Sequence, residues 1–288
     1  MSTLMGKPRG RSTDELLRLT DVSKSYRRGP QELEVLRGAN LHVRAGEVVC
    51  VLASRGAGKT ALLRIAAGIE SPDSGDVSFE GQDLAACSDA QLSRLRGERI
   101  AWAGKRGPRT GVQMFDYIAN PMLAWSGRGV QSGNWIRRWQ QSRAYRRTVD
   151  ERAQAALERV GAAGCGNEHW ETMSDWERAL VELAHAIAPG PALVLLDDVT
   201  DNLGGIERKD FIGLVRAISR ELGMGVLMSV SDPQATLLSD RIMALDGGRL
   251  TEAPQRPATE EPPPSRGNVL EFPGVGSAHL EAGHASSS

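Results

Sequence analysis

The run Ala53-Ser54-Arg55-Gly56-Ala57-Gly58-Lys59-Thr60 puts flexible backbone, a cation and a hydroxyl into one turn. Gly56 and Gly58 let backbone N–H groups turn inward around phosphate oxygens, and a following helix N-terminus adds a favourable dipole. Lys59 stands where its ammonium reaches β- and γ-phosphates, and the Thr60 hydroxyl is placed to hold Mg²⁺. Ser54, Arg55, Ala57 and Ala61 complete the phosphate-binding stretch. The pattern's first glycine is replaced by Ala53, a mild departure. A second signal lies far downstream, where the apolar run Leu193-Val194-Leu195-Leu196 ends in Asp197-Asp198. A carboxylate at the end of such a strand can hold Mg²⁺ through water, so Asp197 is the natural partner of Thr60. Either feature alone could be ordinary: a glycine-rich turn, or a surface carboxylate. Together they read as a nucleotide site.

These residues need a strand before the loop and a helix after it. Val48–Leu52 is apolar and β-rich, and the pattern turns helical from Lys59 to Ala67, with Gly68 as its stop. Upstream, residues 17–52 alternate short β-rich runs with turns at Arg28-Gly29-Pro30 and Ala45-Gly46-Glu47. Downstream, Ser71–Gly75 is a turn leading to a strand near Val77–Phe79. Amphipathic helices are expected over 88–100, 148–160 and 175–188. Ala192–Leu196 reads as a parallel strand buried on both faces, and further strands are expected over Gly225–Val230 and Arg241–Leu245. Alternating β and α elements with buried apolar runs imply an α/β fold with a mostly parallel sheet.

Composition narrows the class. Lys+Arg is 35 against Asp+Glu 36, a formal net charge of −1, unlike the strongly basic face of a typical nucleic-acid binder. Only five of the 35 basic residues are lysines, which gives Lys59 and Lys105 weight. No stretch approaches the roughly 18–20 apolar residues needed to cross a bilayer, and the N-terminus shows no secretory h-region. Cys50, Cys87 and Cys165 have neither disulfide nor metal spacing, so a reduced setting is expected. Residues 1–16 read as a flexible leader. Residues 251–288, rich in Pro, Glu and Ser, read as a disordered tail.

With those motifs in hand, residues 17–250 resemble the ATP-binding subunit of an ABC transporter, most similar to the lipoprotein-release and macrolide-export group. The resemblance implies a P-loop NTPase (RecA-like) core with a mostly parallel sheet, an antiparallel β subdomain, and a helical subdomain inserted at about 106–188. It also implies ATP and Mg²⁺ as cofactors, with Thr60 and Asp197 on the metal. Tyr26 would stack on adenine, Lys105 occupies the Q-loop Gln position, and Ser174 lies in the signature segment. The implied partners are a transmembrane permease subunit and a second ATP-binding cassette, in a heterodimer or a homodimer. No nucleic acid is expected, and the location implied is the cytoplasmic face of the cell membrane. A fully active transport ATPase, or a soluble ABC protein acting on ribosome or DNA, are the alternatives.

Several positions depart from the family's pattern. Its catalytic Glu is Asp198 here, one methylene shorter, and ~1 Å of displacement can cost a general base about a hundredfold. Its switch His is Ser231, with shorter reach and no positive charge. Its D-loop Asp aligns with Gly204. The signature Leu-Ser-Gly-Gly-Gln reads Met173-Ser174-Asp175-Trp176-Glu177. Ser174 and Glu177 form a capping box, while Trp176 is expected to block close approach. Asp175 is expected to repel an anion, by about 4 kcal/mol at ~4 Å and an effective dielectric of ~20. These departures predict that the chain binds ATP and that a homodimer hydrolyses it slowly or not at all. Between Trp125 and Arg147 lie six arginines and no acidic residue, a stretch suited either to anionic headgroups or a transmembrane partner, or to a solvated surface.

Overall fold

The apolar runs at Val48 and Leu193 become inner strands of one sheet, on either side of a third strand that starts at Gly225. A computed structural model of the chain describes residues 15–29, 31–104, 107–108, 110–126 and 135–254. Among them are strands β1 (Glu15–Arg28), β2 (Gln31–Arg44), β3 (Val48–Leu52), β4 (Ser74–Phe79), β5 (Gln82–Asp83) and β6 (Ile100–Gly104). Strands β7 (Leu193–Asp197), β8 (Gly225–Val230), β9 (Arg241–Asp246) and β10 (Arg249–Ala253) follow. The helices are α1 (Lys59–Ala66), α2 (Asp89–Glu98), α3 (Met114–Ser126), α4 (Trp135–Arg159), α5 (Asp175–Ile187) and α6 (Gly205–Leu222).

The larger sheet has the order β10-β9-β3-β8-β7-β6. Its five inner and far-edge strands β9, β3, β8, β7 and β6 run parallel, and β10 closes the other edge antiparallel to β9. Successive side chains on a strand point to opposite faces. In β3, Val48 and Cys50 therefore enter one core cluster while Val49 and Val51 enter the other. In β7, Val194 and Leu196 pair with the first cluster, and Leu193 and Leu195 with the second. All eight are fully buried. That is why both runs read as continuous apolar sequence rather than alternating. The first cluster is completed by α3, α4, α5 and α6; the second by α1 and the antiparallel sheet β2-β1-β4-β5.

Parallel strands end on the same side, so the loops that follow them converge there. Leu52 at the end of β3 is in register with Val230 of β8, and Asp197 of β7 with Ser229 of β8. The phosphate loop, Asp197-Asp198 and Ser231 thus meet at the carboxyl ends of three neighbouring inner strands. Between β6 and β7 the chain inserts α3, α4, two short 3₁₀ turns (Ala163–Asn167 and Trp170–Thr172) and α5.

Several boundaries differ from expectation. β1 starts at Glu15, inside the expected leader, because Glu15 already pairs with Arg44. β10 runs to Ala253, past residue 250, because the Gly247-Gly248 turn, both at positive φ, folds it back on β9. The helix expected over 88–100 is α2, which ends at Glu98 and has no buried residue; Leu92 and Leu95 only lean on the core, and Ile100 begins β6. The expected helix 148–160 is the C-terminal half of α4. Residues 1–14 and 255–288 lie outside the described residues, and so do Lys105 and the side chains of Trp125, Trp135 and Trp139.

Candidate nucleotide-binding site

β3 ends at Leu52 and the chain turns through Gly56 (φ 83°) and Gly58 (φ 103°) into α1. A Cβ on Gly58 would sit 2.8 Å from the Val35 carbonyl oxygen, so both conformation and space demand glycine there. Gly58 caps α1 without any side-chain hydrogen bond. The first N–H groups of α1 therefore need partners from outside the helix, as in an anion-binding terminus.

Lys59 is buried at 4% exposure. Its ammonium donates to the Ala53 carbonyl at 3.0 Å, the Ser54 carbonyl at 3.3 Å and Ser231 Oγ at 2.9 Å. Asp198 Oδ1 stands 3.6 Å away. The Thr60 hydroxyl meets both oxygens of the Asp197 carboxylate, at 3.1 and 3.0 Å. Burial raises the Asp197 pKa; hydrogen bonds from Ser229 and Thr60 pull it back, Asp198 raises it and Lys59 lowers it. A half-buried carboxylate beside a hydroxyl is a hard-oxygen pair of the kind Mg²⁺ takes alongside phosphate oxygens and water. The donor set fits that ion. No group of three or more His, Cys, Asp or Glu among the described residues forms a metal cage of its own.

Asp198 adopts φ 53°, an unusual conformation for a residue with a side chain. It is held there by Ser229, whose hydroxyl accepts the Asp198 N–H at 2.8 Å and lies 3.1 Å from Asp198 Oδ1 and 2.9 Å from Asp197 Oδ1. Ser229 is fully buried. Sequence reasoning passed over it, although a lone hydroxyl inside Gly-Val-Leu-Met-Ser-Val was a visible signal. Arg208 was also missed, and nothing local marks it. Its guanidinium ion-pairs with Asp232 and donates to the Thr200 carbonyl at 3.2 Å and the Leu203 carbonyl at 2.7 Å. It thereby ties the segment after β7 to the residue following Ser231.

The structure brings Lys59, Thr60, Asp197, Asp198 and Ser231 into one cluster. Arg55 reaches across to Asp201 at 3.5 Å. Tyr26 and Ser174 make no hydrogen bond to that cluster among the described residues. Tyr26 is 38% exposed, and burial of its hydroxyl with a hydrogen bond to Glu70 pushes its pKa up to about 12. Lys24 lies 5.8 Å from the Tyr26 ring centre and is itself tied to Asp73 and the Ser71 carbonyl, both at 2.9 Å.

Ser174 caps α5 in a full capping box with Glu177. Its two neighbours do not behave as expected. Trp176 turns inward and packs edge-on against Phe211 of α6, with ring centres 6.5 Å apart at 81°. The half-buried ring therefore packs in part between α5 and α6. Asp175 is paired with Arg178 at 3.2 Å, so the bare like-charge repulsion expected of it is offset within the same turn. Of the cysteines, Cys50 and Cys165 are buried and free, and burial lifts Cys50 to about 12.

A parallel sheet with a glycine loop running into a helix, backed by Asp197 on a neighbouring strand, defines a P-loop NTPase core. The sequence pattern of the ABC transporter family matches residues 36–201. The chain belongs to that family. It is 31% identical over 238 residues to the lipoprotein-releasing system ATP-binding protein LolD of Chromohalobacter salexigens, spanning 82% of this chain and 93% of that one. It is 27% identical to the macrolide export ATP-binding/permease protein MacB of Rhodopirellula baltica, over 82% of this chain but 33% of that longer protein. The dimeric bacterial ABC transporter cassette MJ0796 superposes with a TM-score of 0.70 at 22% identity, over 84% of this chain and 99% of that one. That last likeness concerns the fold alone.

Proposed function

We propose that the chain is the ATP-binding subunit of an ABC-type membrane transporter that binds MgATP at a cassette–cassette interface, couples it to a separate permease, and hydrolyses it poorly. The observation that carries the reading is the single cluster of Lys59, Thr60 and Asp197 beside an α1 N-terminus with no side-chain cap. The loop N–H groups and Lys59 would hold the β- and γ-phosphates, and Tyr26 would stack on the base. Ser54, Arg55, Ala57 and Ala61 would line the phosphates, Lys105 would stand at the Q-loop position, and Ser174, in the signature segment, would face the nucleotide held by the partner cassette. Mg²⁺ held by Thr60 and Asp197 would supply charge neutralisation on the phosphates.

Poor hydrolysis is inferred from the two positions that must handle water and the γ-phosphate. Asp198 is short, and its carboxylate is directed toward Ser229 and Lys59 rather than outward. Ser231 accepts from Lys59 and carries no charge. The names of the relatives, which include release, import and export systems, support a transport role. A permease partner and a second, competent cassette on the inner membrane face follow from that role. No helix among the described residues is long and apolar enough to cross a membrane.

The test is ATP hydrolysis by the purified chain and by the complex recovered from membranes, each beside Lys59→Ala. The expected result is tight MgATP binding with little turnover alone, and turnover when a second cassette is present. Steady-state hydrolysis by the chain alone, abolished by Lys59→Ala, would overturn the impaired-hydrolysis reading.

A further inference from the structure

β8 is buried along its whole length, and Ser229 is the one polar side chain in it. A hydroxyl in such a place costs free energy unless its hydrogen bonds are made. The fold sets where they can be made. The parallel register puts Ser229 opposite Asp197 of β7 on one side and Val51 of β3 on the other. Leu227, two residues earlier, belongs to the core cluster that α1 completes, so Ser229 points to the same face of the sheet. That is the face on which Thr60 of α1 meets Asp197.

A serine has one hydrogen to give and two lone pairs to receive with. Ser229 Oγ accepts the Asp198 N–H at 2.8 Å, and it lies 2.9 Å from Asp197 Oδ1 and 3.1 Å from Asp198 Oδ1. The hydrogen can go to only one of those two oxygens. Asp198 Oδ1 already faces the Lys59 ammonium at 3.6 Å, which leaves the hydrogen for the nearer oxygen, Asp197 Oδ1. The Asp197 carboxylate is therefore gripped twice, by Thr60 and by Ser229. The last torsion of an aspartate is soft, and a donor on Oδ1 fixes it. Oδ2, beside Thr60 at 3.0 Å, is then the oxygen offered to a cation. The lone pair that takes the Asp198 N–H also holds the next residue at φ 53°. One buried oxygen thus fixes both the carboxylate and the backbone turn that follows it.

We propose that Ser229 is a positioning residue for the cation: it presents the Asp197 carboxylate to the Mg²⁺ that accompanies the nucleotide. The proposal rests on the nucleotide-site reading above and names the residue on which the Mg²⁺-dependent share of binding depends. Loss of a hydrogen bond that orients a coordinating side chain typically costs about 10–100-fold in metal affinity. A hydroxyl that served only to fill β8 would instead change stability, and would leave the Mg²⁺-dependent share of binding where it was.

The test is isothermal titration of the full chain with ATP, once in excess Mg²⁺ and once in EDTA, for wild type, Ser229→Ala, Ser229→Thr and Ser229→Cys. Ser229→Ala should lose about tenfold or more in affinity with Mg²⁺ and less than about twofold in EDTA, since Ser229 touches the carboxylates and not the phosphate loop. The Mg²⁺ concentration that half-saturates ATP binding should rise by the same factor. Ser229→Thr keeps the hydroxyl and should stay close to wild type in both conditions. Ser229→Cys keeps the size but donates weakly, so it should lose affinity only with Mg²⁺. If Ser229→Ala does not fold, the Thr and Cys variants carry the same comparison. Equal losses in the two conditions, or no loss in either, would overturn the proposal while leaving the nucleotide site standing. Wild type that binds ATP equally well in Mg²⁺ and in EDTA would overturn it together with the pairing of Thr60 and Asp197 on the cation. Wild type that binds ATP in neither condition would sink the nucleotide-site reading itself, and the proposal with it.

Discussion

The N-termini of α1 and α5 carry the two motifs by which a cassette handles phosphate, and they satisfy their backbone in opposite ways. At α1, Gly58 offers no side chain, and Lys59 folds back into the loop beneath. At α5, Ser174 Oγ accepts the Glu177 N–H at 3.2 Å while the Glu177 carboxylate accepts the Ser174 N–H at 2.8 Å. Asp175 adds a second carboxylate to that turn, balanced by Arg178. A helix N-terminus attracts anions because its first N–H groups and dipole lack a partner. In α1 that demand is left open. In α5 the Ser174 hydroxyl meets one of the first N–H groups, and the Glu177 and Asp175 carboxylates place negative charge at that end, so a phosphate arriving from outside would meet both. The same local physics thus gives an open N-terminus in one place and a side-chain-capped, negatively charged one in the other.

The sharpest way to break this contrast is Lys59→Ala. Two charge-assisted hydrogen bonds to phosphate are worth about 4 kcal/mol, so MgATP affinity should fall roughly a thousandfold. Isothermal titration of both proteins checks it. Affinity within tenfold of wild type would mean that the open N-terminus and glycine loop hold nucleotide without the lysine.

How far these two regions could be read from sequence follows from how local their determinants are. The phosphate loop needs only a strand, two glycines, Lys59 and a helix, all contiguous, and the sheet assembled Asp197 beside Thr60 as the paired motifs implied. The parallel core was legible for the same reason: runs buried on both faces are apolar throughout. The α5 segment depends on long-range partners. Trp176 was read as an obstruction, yet its direction is set by Phe211, 35 positions away on α6. Ser229 acts only through the β7–β8 register, and Glu182 only through Tyr117, 65 positions back. The Asp175–Arg178 pair was legible, being three residues apart on one helix face, and it was overlooked.

If α5 is a structural helix, its buried acid should speak through stability. Burial raises Glu182 from an ordinary value of 4.5 to about 7, against the pull of its hydrogen bonds from Tyr117 and the Gly104 and Gly107 N–H groups. The folded carboxyl holds its proton at higher pH than the unfolded one, so its ionisation opposes folding between those two values. That penalty is absent below about pH 4.5, grows as pH rises, and is complete above about pH 7, where it amounts to about 3 kcal/mol. Glu182→Gln does not titrate. Urea unfolding of both proteins at pH 4.5 and pH 8 should show wild type losing about 3 kcal/mol relative to the variant. A flat difference would mean that the carboxylate is solvated, and α5 less closed than described.

Trp176→Ala probes the outer turn of the same helix. The indole is half-buried against Phe211, so its removal should cost about 2 kcal/mol, below the usual cost for a fully buried aromatic. MgATP affinity of the chain should not change. Loss of affinity in a variant that is still folded would show that this turn of α5 reaches its own phosphate loop, and would undo the division between the two helices.

The smallest effect separates a cap from a ligand-binding group most cleanly. Ser174→Ala removes the hydroxyl that accepts the Glu177 N–H and should lower stability by about 1 kcal/mol, measurable by chemical denaturation. In a pairing with a competent second cassette, a purely structural Ser174 predicts ATP turnover within about twofold of wild type at a temperature where both proteins are folded. A serine that donated to a nucleotide held by the partner cassette would behave differently, since losing one hydrogen bond to a charged group costs about 1.5–3 kcal/mol in the bound state. Turnover would then drop by at least tenfold, at unchanged affinity of this chain for its own MgATP. The two outcomes differ because the hydroxyl has one hydrogen to give: in the observed cap it lies 2.8 Å from the Glu177 carboxylate, and it cannot serve a phosphate until that bond is broken.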